Sequence, residues 1–174
     1  YQHYKLAFET QDELIRSLAI IGEMSQGNVM TRSILLQSTK IFSELTEAEE
    51  CSIFLLNSAG VVIESMLARG SVKREEERIL IGEILDKGLA GWVVSKRQVG
   101  LIQDTMKDDR WLNLPYQPYS VRSALCVPIL KASTLIGILT LTHSQPQHFS
   151  QETGEILAAI GRSLALMLDN ILAN

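Results

Sequence analysis

Thiol chemistry is nearly absent from this chain, whose 174 residues include two cysteines. Cys51 and Cys126 each sit inside a strand-like apolar run, and their number and spacing match neither a disulfide framework nor a metal knuckle. Both read as small buried hydrophobes. An excess of positive charge is missing too. Lys plus Arg number 16 against 20 Asp plus Glu, a formal charge of -4. No basic run or Arg-aromatic interleaving offers a phosphate-tracking surface, so nucleic-acid binding is not expected. Long hydrophobic runs are lacking: the stretch 134–142 stops far short of the ~20 residues that cross a bilayer. The first residues lack the apolar stretch of a signal peptide, so the chain is expected to be cytoplasmic, without a membrane partner. None of the patterns GxxxxGK[ST], GxSxG, HExxH or GxGxxG occurs. The acidic run Glu75, Glu76, Glu77 reads as solvated charge rather than an acid/base pair. His3, His143 and His148 form no pair at ligand spacing, so neither a metal nor a haem site is expected. No catalytic residue and no cofactor is expected on these grounds.

What the chain has is apolar material in ordered patterns. A hydrophobic fraction of 46% suffices for one sizeable core. Residues 4–25 carry helix formers with Leu14, Leu18 and Ile21 on a narrow seam, ending at Gly27 with Asn28 placed to cap a second helix over 29–47. In that second helix Met30, Ile34, Ile41 and Leu45 share one face, read as core packing. After residue 50 the period changes. The runs 51–56 and 61–67 flank the turn Asn57-Ser58-Ala59-Gly60 as an antiparallel hairpin, and 78–81 follows as a brief strand after the charged tract 73–78. A short helix falls on 88–94 and a strand on 99–103. The segment 104–122 is irregular and aromatic-rich, which favours a functional lid over a spacer. Two strong strands, 123–130 and 135–142, precede a last helix capped by Ser150. Helices, strands and a final helix in that order predict an α+β layer: about six antiparallel strands with flanking N- and C-terminal helices, as in PAS and GAF modules.

The resemblance becomes specific at four places in register: Gly88-Leu89-Ala90-Gly91-Trp92-Val93, Ile102-Gln103-Asp104, Val121 to Ile129, and Leu135 to Leu139 leading to Phe149-Ser150. Their order and spacing resemble a GAF domain. The resemblance implies a division into an N-terminal signalling or dimerisation helix, 1–27, and a GAF domain, 28–174. Because the chain opens on Tyr1 rather than Met, a longer parent is expected. GAF domains as a family bind cyclic nucleotides, bilins, haem, small acids or nothing known, in a pocket between sheet and lid. A bilin-binding member would carry a Cys-His pair before the fifth strand, and 111–122 holds neither residue. Of the dispersed Asn-Lys-Phe-Asp-Glu signature of cyclic-nucleotide binders, only the fragment Phe149 with Glu152 is found. The free methionine sulfoxide reductases need a nucleophilic thiol, and the matching Gly-Leu-Ala-Gly segment has Ala90.

The resemblance therefore implies a ligand-sensing regulatory domain of a bacterial signal-transduction protein, of a two-component (for example response-regulator) or second-messenger system, controlling an attached output domain. Its small-molecule ligand is unidentified. Aromatic walls with a few converging polar groups make such pockets, and Trp92, Asp104, Trp111, Tyr119, Arg122, Ser123 and Leu125 are the candidates to line it. Arg122 would select an anionic ligand. Two other readings stand beside this one: a purely structural dimerisation module, and a stand-alone enzyme of the reductase type. A parallel homodimer through the terminal helices is expected. Leu157, Ile160, Leu164, Met167 and Ile171 form its heptad-like seam, while Ile156 and Leu168 serve the inner face.

Overall fold

The computed structural model describes residues 26–57, 59–60, 62–66, 88–112 and 120–173. Helix α1 spans Gln26–Thr46 and leads into a hairpin of β1, Glu50–Leu56, and β2, Val62–Met66. A short helix α2, Leu89–Lys96, precedes β3, Gly100–Ile102; a second hairpin follows, β4, Ser123–Lys131, and β5, Thr134–His143, before the closing helix α3, Gln151–Ala173. The five described strands form one antiparallel sheet in the order β2-β1-β5-β4-β3. The first helix expected over 4–25, with Leu14, Leu18 and Ile21, and the strand expected at 78–81 lie outside the described residues.

Strand alternation divides the sheet into two faces. Cys51, Ile53 and Leu55 of β1, Leu125, Val127 and Ile129 of β4, and Leu139 and Leu141 of β5 point to α1 and α3 and form one core with Leu35, Phe42, Leu157, Leu164 and Leu168. The alternate residues Leu56, Ala124, Cys126 and Ile138 pack on the other side with Leu89, Ala90 and Val93 of α2. A bulge between Ile129 and Leu130 lets Ile136 join the first core while Leu135 joins the second. The β3 ladder ends at Cys126, two residues before Pro128, which could offer no backbone donor to a longer neighbour.

Two helices differ from the sequence expectation in which face they bury. The helix α1 already includes Gly27 and Asn28, so the expected stop and cap fall inside it. Its inner face is Thr31, Leu35, Ser38, Thr39 and Phe42, whereas Met30 and Leu45 are exposed. The more apolar stripe is thus not the buried one. Ser38 and Thr39 reach this core because their hydroxyls donate to the carbonyls of Ile34 and Leu36 within the same helix, removing the penalty for burying them. Helix α3 begins as expected, with Ser150 Oγ accepting from the Thr153 N–H at 3.1 Å. Its inner face is Leu157, Leu164, Ala165 and Leu168, and Ile156, Ile160, Leu166 and Met167 face outward. Leu157 and Leu164 therefore leave the expected dimer seam and Ile156 joins the outer surface. Close approach of α3 to the sheet depends on Gly154, where a Cβ would lie 2.5 Å from Val99 Cγ1.

Candidate functional site

The α2 face of the sheet carries polar side chains of β1 and β5 inside the fold. Register places Glu50, Thr142 and Ala124 in one row across β1, β5 and β4, and Ser52, Thr140 and Cys126 in the next. Glu50 and Thr142 are buried. Thr142 Oγ1 has no hydrogen-bond partner among the described residues, while Thr140 Oγ1 and Cys126 Sγ lie 3.4 Å apart. Helix α2 walls one side. Leu89, Ala90 and Val93 seat it on the sheet and leave Trp92 half-buried at its rim. Gly100 beneath admits this contact, since a Cβ there would meet Leu89 Cδ1 at 2.8 Å and Val93 Cγ2 at 2.9 Å.

The segment after β3 is tied down at both of its described ends. Asp104 accepts from the Met106 N–H and pairs with Arg122 at 3.2 Å. These bonds, the Met106 N–H foremost, hold its carboxyl below the usual carboxylate range. Thr105 N–H donates to the Arg122 carbonyl and Thr105 Oγ1 to that of Val121, which ties residue 105 to the residues just before β4. Further along, the Arg110 guanidinium forks onto Asp108 at 3.0 and 2.8 Å, donates to the Leu101 carbonyl at 2.7 Å and lies 4.6 Å over the Trp92 ring. That hydrogen-bonded pair lowers the Asp108 carboxyl and raises the Arg110 guanidinium from their ordinary values.

Trp92 and Trp111 each pack on the apolar cluster of the α2 face. Asp104 and Arg122 form an ion pair with each other. Ser123 and Leu125 do not join them: the Ser123 hydroxyl donates to the Gln145 carbonyl at 2.6 Å, and Leu125 belongs to the core under α3. Alternation explains the difference, because Leu125 and Cys126 point to opposite faces. Tyr119 lies outside the described residues. Sequence reasoning passed over Glu50, Ser52, Thr140 and Thr142, although polar residues two apart at 50 and 52 in β1 and at 140 and 142 in β5 are a legible signal. Beyond its near neighbour Asp108, Arg110 had none, since Leu101 and Trp92 reach it only through the fold. His143 and His148, which show no pairing in the sequence, stack on each other. No group of three or more His, Cys, Asp or Glu able to hold a metal occurs among the described residues.

The sequence pattern of the family described as GAF domain matches residues 31–168 of the chain. The chain belongs to the GAF family. Its fold is similar to the GAF domain of a phosphoenolpyruvate-protein phosphotransferase from Coxiella burnetii, with 17% identity, a TM-score of 0.64, and 94% of this chain and 95% of that one covered. The corresponding domain from Acinetobacter is similar at 19% identity and a TM-score of 0.56, covering 97% of this chain and 95% of that one. The type II free methionine-R-sulfoxide reductase of Thermoplasma acidophilum shares the fold at 18% identity and a TM-score of 0.58, over 79% of this chain and 94% of its own. In this GAF domain both thiols lie inside the sheet, and burial pushes each of them up to about 12. A groove of about 480 Å³ lies apart from the α2 face, between the end of α2, the free part of the β4 edge and α3, with Arg97, Val99, Pro128 and Arg162 among its walls. Among the described residues no helix is long and apolar enough to cross a membrane.

Proposed function

We propose that this GAF domain is a ligand-sensing regulatory module of a bacterial signalling protein, acting in the cytoplasm on an output domain attached to it. The observation that carries the reading is the polar floor on the α2 face. Ser52, Thr140 and Thr142 lie on the sheet face that carries the apolar cluster on which Trp92 and Trp111 pack, and the buried Thr142 hydroxyl without a partner among the described residues is costly. A small molecule with hydrogen-bonding edges and a flat apolar body would satisfy both the hydroxyls and the indoles. Binding there would bias the packing of α1 and α3 through the shared sheet. Two copies would then pair in parallel through the terminal helices, with the outer stripe Ile156, Ile160 and Met167 of α3 at the contact.

Native mass spectrometry of freshly purified protein tests the ligand. An adduct lost from the Thr140→Val, Thr142→Val double variant is the expected result. If no adduct appears from cell extract and no compound of a metabolite library raises the melting temperature, the structural dimerisation reading takes its place. A second reading, catalysis, is suggested by the likeness to free methionine-R-sulfoxide reductases, but each of the two thiols is buried and protonated far above neutral pH. A thiol in that state is a poor nucleophile. The chain's own residues therefore favour binding over turnover.

A further inference from the structure

Where β5 ends, two histidines from a six-residue stretch stack face to face. The ring centroids of His143 and His148 are 3.6 Å apart with planes 10° off parallel. His148 Nε2 lies 2.9 Å from the Thr46 carbonyl at the end of α1. A carbonyl only accepts, so this nitrogen carries hydrogen. His143 Nδ1 accepts the Gln145 N–H at 3.0 Å, so this one does not. These two bonds place hydrogen on Nε2 of His148 and a lone pair on Nδ1 of His143. Phe149 meets His148 edge-on at 4.8 Å and is itself part of the core between α1 and α3. The stack therefore joins the end of α1, the exit of β5 and the start of α3.

We propose that this stack is a proton-operated joint that loosens the β5–α3 connection from α1 in mild acid. The charged groups nearest the joint in sequence on the surrounding elements are Glu44 and Glu47 at the end of α1, Glu49 before β1 and Glu50 at its start, Arg122 before β4, and Glu152 on α3. Arg122 is paired with Asp104. Glu49 is the carboxylate within ion-pair distance of an imidazole among the described residues, 3.3 Å from His143 Nδ1. A first proton added at Nδ1 of His143 faces that carboxylate and is tolerated, at the expense of the Gln145 N–H bond. A second proton, on His148, puts two cations in stacking contact with a single carboxylate, that of Glu49, beside His143. The rings then separate, and the bond to the Thr46 carbonyl and the Phe149 contact go with them. This device is independent of any ligand on the α2 face, and its test uses none.

Hydrogen exchange of the full chain, corrected for the intrinsic pH dependence of amide exchange, reads the joint directly. Protection of residues 44–49 and 144–150 is expected to fall roughly tenfold or more between about pH 7.5 and 5.5, while the centre of β5 is unchanged. His148→Gln keeps an N–H for Thr46 without the charge and should retain neutral-pH protection but lose the acid response. His143→Gln serves the same purpose should the first variant fold poorly. Wild-type protection that stays level across this range, or an acid response that persists in both variants, overturns the proposal.

Discussion

Thr142 shows how a single atom separates stability from function. Its Oγ1 is buried without a partner among the described residues, so replacing the hydroxyl by the isosteric methyl of Val removes a desolvation penalty. Thr142→Val is expected to leave urea stability unchanged or raise it by about 1 kcal/mol, while weakening whatever ligand the wild type binds. A loss of more than about 1 kcal/mol would show that the hydroxyl has a structural partner. The two thiols make a pH prediction. Each binds its proton more tightly folded than at the ordinary value of 9.0, and each is pushed up to about 12. Their contribution is complete below the unfolded value and is lost as pH rises from 9.0 through the folded one near 12. The wild type should therefore lose stability over that alkaline window more steeply than Cys51→Ala, Cys126→Ala. At about pH 8 iodoacetamide should label neither thiol until urea unfolds the chain. The buried state of both cysteines was legible from their apolar neighbours. The polar floor around Cys126 was not, because which of two alternating sets faces α2 depends on the sheet's partners.

Helix α3 carries two apolar stripes offset by one residue, and the sequence alone does not say which is inside. Leu168 is fully buried and Ile160 is 40% exposed. Leu168→Ala is expected to cost about 2–5 kcal/mol in urea unfolding through the cavity it leaves. Ile160→Glu should change the stability of the monomer by no more than about 0.5 kcal/mol and instead lower the sedimentation coefficient at high protein concentration. A dimer that sediments unchanged with Ile156→Glu and Ile160→Glu combined removes the outer stripe as its interface. In α1 the same ambiguity resolves toward the less apolar stripe, since Ser38 and Thr39 bond back to their own helix while Met30 and Leu45 face out. Helical periodicity measures apolar content, and hydroxyls satisfied within the helix evade it.

At the scale of the molecule, one sheet serves two cores. β5 lies between β1 and β4 with both faces covered, and Ile138, Leu139 and Leu141 are almost fully buried within it. Its central amides should exchange slowest and only by global opening, with the three-residue edge strand β3 at the sheet margin faster. Equal protection in the two strands would argue that the described sheet opens as one unit. The sequence by itself determined the order of elements, the hairpins, the capping of α3 and the four motifs that mark the GAF family, because turns, caps and strand alternation are set by neighbours along the chain. Tertiary structure alone decided which stripes of α1 and α3 are buried, put Leu125 under α3 and Thr142 opposite it, clamped Arg110 over Trp92 and stacked His143 on His148. Those outcomes rest on contacts between segments distant in sequence and on the sidedness of a sheet, and a period of two specifies alternation without saying which face meets which helix.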